Sequence, residues 1–314
     1  MNWFFFALAG TAIFGLVALT DKYMLSSHFP DALVYAWVTG LAGGGSASLG
    51  IVVLGGAGIV QMPKTMAVDL LAPGALLFFA GFAYMRAMSR GVATVVVAYS
   101  QFTPVFAFGL GFWVLSEHLS VTQVLGMLLV IGSAAGLTVG GGLPAPGPDG
   151  DMARRTWMIL GTALPLMMLS SVLRASSDLL MKQHTVDEGV LTAYLVSRQG
   201  ILLCALLMLF SGRLRRRIWH GLTSTTSGSW VSLAFVEVGA ISSFLLLTIA
   251  LNGGPLALVS VISSNVAVFT FIYAVVFGRL LKVPNVPVIG IRWRRLIACL
   301  AVMAVGTAAL SSFF

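Results

Sequence analysis

From residue 238 to residue 278 the chain runs 41 residues without a single charge. A bilayer-crossing helix needs about 20 mainly apolar residues. Two spans therefore fit this run, parted by the turn Asn252-Gly253-Gly254-Pro255. The rest of the chain is similar: 58% of its 314 residues are hydrophobic and only 9% are charged, with a mean hydropathy of +0.99. Soluble domains carry about 25% charged residues, so too few charges are present to coat a globule. An ordinary cytosolic enzyme, a disordered chain and a nucleic-acid binder are excluded. The net charge of +8 does not reopen the last of these, because the basic residues stand in short clusters between apolar runs, as on the cytoplasmic loops of membrane proteins. Cys204 and Cys299 both lie in apolar runs and read as buried small hydrophobes, not a disulfide.

Ten spans can be drawn: 3–20, 32–54, 67–87, 91–115, 120–140, 156–177, 190–210, 230–250, 255–278 and 296–313. The first has no basic n-region and no clear cleavage site, so it reads as a retained helix. Ten crossings put both termini on one face, here called A, with B opposite. Fourteen Lys and Arg residues fall near face B, among them Lys22, Arg86, Arg90 and the group Arg213, Arg215, Arg216 and Arg217, whereas face A has only Lys64 and Lys182. The positive-inside rule makes B cytoplasmic and the termini non-cytoplasmic. The expected location is the inner (plasma) membrane, crossed many times. The arginine group at 213–217 caps a span and suits orientation and contact with anionic lipid.

The Pro/Gly-rich stretch from Gly141 to Asp151 lies near the middle, with five spans on either side. The halves share an order of small motifs. Gly10-Thr11-Ala12 has its counterpart in Gly161-Thr162-Ala163, and Thr20-Asp21 in Ser177-Asp178. Asp31-Ala32-Leu33-Val34-Tyr35 is answered by Glu188 to Tyr194, and Arg90-Gly91-Val92-Ala93 by Gly253 to Ala257. Five is odd, so a second copy must enter the membrane from the opposite face, which is the inverted-repeat plan of many transporters. The expected fold is an all-α integral membrane protein of ten transmembrane helices in two inverted five-helix repeats, residues 1–140 and 156–314, joined by a linker at 141–155.

Gly91-Val92-Ala93-Thr94, Gln101-Phe102-Thr103-Pro104-Val105-Phe106, and Leu115-Ser116-Glu117-His118-Leu119-Ser120 with Gly126 resemble the EamA-type pattern of the drug/metabolite transporter superfamily. In that pattern a small-residue run leads to a proline in the fourth helix, followed by a Gly/Ser-Glu junction and a glycine in the fifth. The second half departs from it, with Ala267 in place of Pro104 and Gly278-Arg279 in place of Ser116-Glu117. The resemblance implies export or exchange of small organic solutes such as amino acids, drugs or metabolites. It also implies a midplane cavity lined by the first, third, fourth, sixth, eighth and ninth helices.

Of the ten acidic residues, only Glu237 falls well inside a drawn span. A carboxylate there costs a few kcal/mol unless it is paired or protonated, which suits proton coupling or a cationic substrate. Arg198 and Gln199 lie in the seventh span. Arg198 is read first as a structural partner of Glu237 and alternatively as a bidentate ligand for a substrate carboxylate. Arg174, Asp178 and Lys182 have i, i+4 spacing and read as a surface ion-pair ladder. Asp21 and Lys22 read as an interface anchor. Tyr84, Arg86, Tyr99, Gln101, Pro104, Ser264 and Asn265 are further candidates for the cavity, with Pro104 expected to kink the fourth helix. Glu117-His118 reads as structural.

No Cys/His cluster has metal spacing, and no Gly-rich loop ends in Gly-Lys-Ser/Thr. No metal, cofactor, nucleic-acid partner or catalytic residue is expected, and the chain is not read as an enzyme. Its expected partners are a small-molecule substrate and the lipid bilayer. The leading function is efflux of a small solute by alternating access. The alternatives are a flippase for a lipid-linked substrate and, further off, a non-transporting membrane scaffold or enzyme.

Overall fold

The computed structural model describes residues 2–29, 31–53, 64–90, 96, 99–100, 102–141, 151–223, 227–277, 298, 301–302 and 305–306. Gln101, most of the linker and nearly all of the tenth span lie outside them. The described residues are all-α. The helices are α1 (Asn2–Ser27), α2 (Ala32–Val53), α3 (Lys64–Arg90), α4 (Phe102–Val114), α5 (Val121–Gly141), α6 (Asp151–Glu188), α7 (Val190–Leu207), α8 (Gly212–Thr223), α9 (Ser227–Gly253), α10 (Leu256–Ser264) and α11 (Val266–Phe277). Among the described residues seven stretches are long and apolar enough to cross a membrane, one of them formed by α10 and α11 together, and α4 and α5 supply two shorter apolar helices. The outer surface is apolar, with Trp113, Val53 and Val231 each at least 75% exposed, as a lipid-facing surface should be. This is a multi-pass membrane protein.

The spans overrun their apolar windows. α1 continues through Asp21 and Lys22 to Ser27, and α6 extends for 38 residues, about 57 Å at 1.5 Å per residue. Helical hydrogen bonding does not stop where a charge appears. The ninth span, in contrast, is broken: α10 ends at Ser264, and Asn265 closes it with its N–H donating to the Ile262 and Ser263 carbonyls. The kink expected in the fourth span would fall on residues just before Pro104, several of which lie outside the described ones. Pro104 itself is the third residue of α4, in the first turn, where its missing N–H has no partner to lose.

In the bundle α1 lies along α9, α3 along α6 and α7, α2 along α7, and α4 along α6 and α10, while α10 and α11 both pack on α1. Hydroxyls stitch these pairs together. Ser170 and Ser177 of α6 donate to the carbonyls of Ala80 and Pro73 on α3, at 2.9 and 2.8 Å. Ser243 of α9 donates to the Gly10 carbonyl of α1 at 2.8 Å. The backbones of α3 and α7 meet at Gly74 and Gly200: a Cβ on Gly200 would press into the Leu71 carbonyl oxygen, and one on Gly74 into that of Ser197. Small residues permit this closeness in lipid, where packing replaces the hydrophobic effect as the source of cohesion.

The ends of the spans sort into two groups. At one end Glu117 accepts the Leu256 N–H at the start of α10 on both oxygens, 3.1 and 2.9 Å. Glu117 is also ion-paired to Lys182, which donates to the Gly254 carbonyl at 2.7 Å. At the other end Arg217 pairs with Asp31, and Lys22 donates to the Met88 carbonyl at 2.9 Å. The first group falls on face A and the second on face B, as alternate crossing by these spans requires. Lys182 therefore does not extend an Arg174–Asp178 ladder, because Glu117, in the connection between α4 and α5, claims it. Glu117→Ala should strand Lys182 and uncap α10, costing about 2 kcal/mol, measurable as a lower Tm of the purified protein.

Ser116, just before this glutamate, has φ of 54°. This left-handed conformation costs a residue with a Cβ about 1–2 kcal/mol. Ser116→Gly should recover about 1 kcal/mol and raise Tm by a few degrees, whereas Ser116→Val should lower it.

Candidate functional site

The bundle encloses a cavity of about 180 Å³ between α1, α2, α3, α6, α7 and α9, with further contributions from Ser100, Thr103 of α4 and Val266 of α11. An apolar cavity of about 150 Å³ holds a benzene-sized molecule, so this one is large enough for a small solute. The six helices expected from the family resemblance all contribute. Two more, α2 and α7, complete the wall because Gly40 and Gly43 let α2 come close. The carboxylate of Glu237 lies against Gly43, where an added Cβ would stand 3.5 Å from its Oε2.

The polar groups are arranged by charge. Asp21 and Glu237 line the cavity from α1 and α9, and Arg174 and Arg198 line it from α6 and α7. Each carboxylate lies in the half of its helix nearer face B. Arg198 lies in the half of α7 nearer face A. The Tyr35 hydroxyl donates to Asp21 Oδ1 at 2.7 Å. Arg174 Nε donates to both oxygens of Asp178, at 3.3 and 3.2 Å.

Glu237 and Arg198 are 9% and 7% exposed, and neither makes a hydrogen bond or ion pair among the described residues. They influence each other electrostatically, but the direct structural pair expected from the sequence is not formed. Arg198 lies instead over two rings, with its guanidinium carbon 4.9 Å from the centroid of Tyr194 and 4.5 Å from that of Phe244. The Arg174 guanidinium carbon is 4.8 Å from the Phe244 centroid. A guanidinium within about 6 Å of a ring centroid is attracted by its quadrupole, so Phe244 is held by two cations. It also borders a second, smaller cavity of about 30 Å³, which shares Leu77, Arg174 and Arg198 with the first. Two further polar atoms on the main cavity, Tyr84 Oη and Ser171 Oγ, are buried without a hydrogen-bond partner. Such groups are costly unless something occupies the space before them.

The other sequence candidates divide. Tyr84 is in the wall. Gln199 does not line the cavity: its Oε1 accepts from the Ser48 hydroxyl at 2.9 Å and its Nε2 donates to the Leu195 carbonyl at 3.3 Å, tying α7 to α2. Arg86 does not line it, and Tyr99 stacks on Phe102 at 6.4 Å between centroids. Pro104 is in the first turn of α4, beside Thr103. Ser264 Oγ donates to the Val261 carbonyl of its own helix at 2.6 Å. Asn265 is buried at the α10–α11 break with its Oδ1 unpartnered, away from the cavity wall. Asp21, Arg174 and Phe244 were not singled out for the site by sequence. The first two were legible as charges, but the apolar windows stopped short of Asp21 and the i, i+4 spacing suggested an exposed ladder for Arg174. No signal distinguished Phe244 among 20 phenylalanines.

No curated protein matches the chain. Among solved structures 26 chains match. One is a crystal structure that aligns with a TM-score of 0.62 at 16% identity, covering 96% of both chains, a likeness of fold. Residues 1–139 match the EamA-like transporter family, and they contain the Ser116-Glu117 junction, Thr103-Pro104 and the α1–α3 wall of the cavity. Over residues 1–139 this membrane protein is thus similar to the EamA-like transporters.

Proposed function

We propose that this protein is a secondary transporter that binds a small organic solute bearing both a cationic and an anionic group in the charged cavity. It exposes that cavity to the two faces in turn. The observation that carries the reading is the pair of buried side chains of opposite ionisable type on one cavity, Glu237 and Arg198, neither with an ion-pair or hydrogen-bond partner among the described residues. Burying charges is expensive unless they are matched, and a dipolar solute would match both. The sequence signal at residues 1–139 supports transport as the general activity.

The full plan proposed is ten spans in two inverted five-helix repeats, with the linker at 141–155 and both termini outside the cytoplasm. Helix pairing supports it. If α6 repeats α1, and α9 repeats α3, then α1 against α9 and α6 against α3 are one contact seen twice. The same exchange relates α4 on α6 to α10 and α11 on α1, and it leaves α2 on α7 unchanged. One exchange is unequal: α3 seals against α7, while its counterpart, α9 against α2, has far less contact and flanks the cavity. Unequal closure of two equivalent seams is what alternating access requires of any single conformation.

The test uses purified full-length protein. Zwitterions, simple cations and simple anions are screened for a rise in Tm, since a ligand of the folded state stabilises it by RT ln(1 + [L]/Kd). Those that bind are then tried in counterflow across reconstituted vesicles. Stabilisation and exchange by solutes carrying both charges support the proposal. Exchange of singly charged solutes alone would overturn the dipolar assignment, and no exchange by any solute would overturn transport. Imposing a pH gradient in the same vesicles reports whether protons are coupled, and its polarity gives the direction, for which efflux is the expectation.

A further inference from the structure

Helix α8 joins α7 to α9 beside the start of α2, at face B. Ile218 faces inward, 2% exposed, with Leu214 and Leu222 packed beside it. Gly221 lets the helix settle on α2, where an added Cβ would come within 2.7 Å of Val34 Cγ2. The helix carries Arg213, Arg215, Arg216 and Arg217 and no acid. Arg217 alone is matched, by Asp31, with its Nη2 3.0 Å from Oδ1. Arg213, Arg215 and Arg216 are exposed and make no ion pair or hydrogen bond among the described residues.

Trp219 projects from the same outward side, 71% exposed, and Phe210 on the preceding turn is 86% exposed. At 100° per residue Arg215 and Arg216 stand one turn before Trp219, on either side of it. An exposed indole flanked by free guanidiniums, at the end of a ring of apolar spans, matches the chemistry of the headgroup layer. There an indole rests between acyl chains and water, and a basic amphipathic helix lies in the plane of the interface.

We infer that the outward face of α8 is a docking surface for anionic phospholipid headgroups of the leaflet on face B, with Arg213, Arg215 and Arg216 binding phosphates around Trp219. The opposite role of Arg217, tied to Asp31 just ahead of α2, fixes the helix so that the other three face the lipid. This surface lies apart from the solute cavity and does not depend on the transport reading.

Full-length protein is placed in phosphatidylcholine nanodiscs containing a minor fraction of either brominated phosphatidylglycerol or brominated phosphatidylcholine. The Trp219 signal is isolated as the difference between wild type and Trp219→Phe. Brominated phosphatidylglycerol should quench it more strongly than brominated phosphatidylcholine. The preference should fall on the order of a hundredfold in R213Q/R215Q/R216Q, three charges at about fivefold each, with Tm unchanged because Arg217 is kept. Equal quenching by the two lipids, or a preference that survives in the triple variant, overturns the inference. Binding of soluble polyglutamate to the same arginines without any lipid preference would overturn it in favour of an acidic protein partner.

Discussion

Gly200→Val is expected to destabilise this protein strongly. The α3–α7 seam closes backbone against backbone, and a Cβ on Gly200 already has no room beside the Leu71 carbonyl oxygen. Backbone cannot swing aside as the tip of a long side chain can. Valine must therefore part the helices, losing at least the roughly 1–3 kcal/mol typical of overpacking and opening the seal on the side of face A. A sharp fall in Tm, with a cysteine placed at Ser197 becoming reactive from face A, is the expected result. Gly45→Ala is the control. Nothing lies within 4 Å of a Cβ there, and alanine gains up to about 1 kcal/mol over glycine in a helix. Equal effects of the two substitutions would refute the steric account.

The second large effect is expected at the charges of the cavity. Glu237→Gln preserves shape and removes a charge that no described side chain neutralises directly. Any solute whose cation rests there should lose about 1.5–3 kcal/mol of binding, at least tenfold in affinity. The protein itself should become slightly more stable, because a buried charge has been removed. Arg198→Gln should act in the same way on the anionic end of the solute. The signature is opposite movement: unliganded Tm rises or holds, while the ligand-induced shift disappears. If Glu237 were a structural partner of Arg198, unliganded Tm would fall instead, and ligand shifts would persist.

How far the sequence could be read follows from what its signals measure. Runs of apolar residues locate spans because oil and water sort them, and each described span overlaps a predicted one. The runs do not say where a helix stops. Asp21 ends the first apolar window, yet α1 continues to Ser27, which places that carboxylate about 9 Å inside the helix end at 1.5 Å per residue. Spacing likewise reports which residues share a face, not what the face meets: Arg174 and Asp178 do pair, but on a cavity instead of at the surface. Partners from distant segments carry no local signal. Lys182 meeting Glu117, and Arg198 meeting Phe244, arise only when the helices are assembled. The break at Asn265 was invisible for a related reason. Residues 255–278 form an unbroken apolar run, and the interruption is a matter of backbone hydrogen bonds, which hydropathy does not record.

The ring of Phe244 stands between the larger and smaller hollows, gripped by Arg174 and Arg198. An incoming carboxylate would compete with that ring for the same two guanidiniums, and an ion attracts a guanidinium more strongly than a quadrupole does. On the proposed transport reading, capturing such a guest and freeing the ring would be a single event, and a guest lacking an anion would leave the ring held.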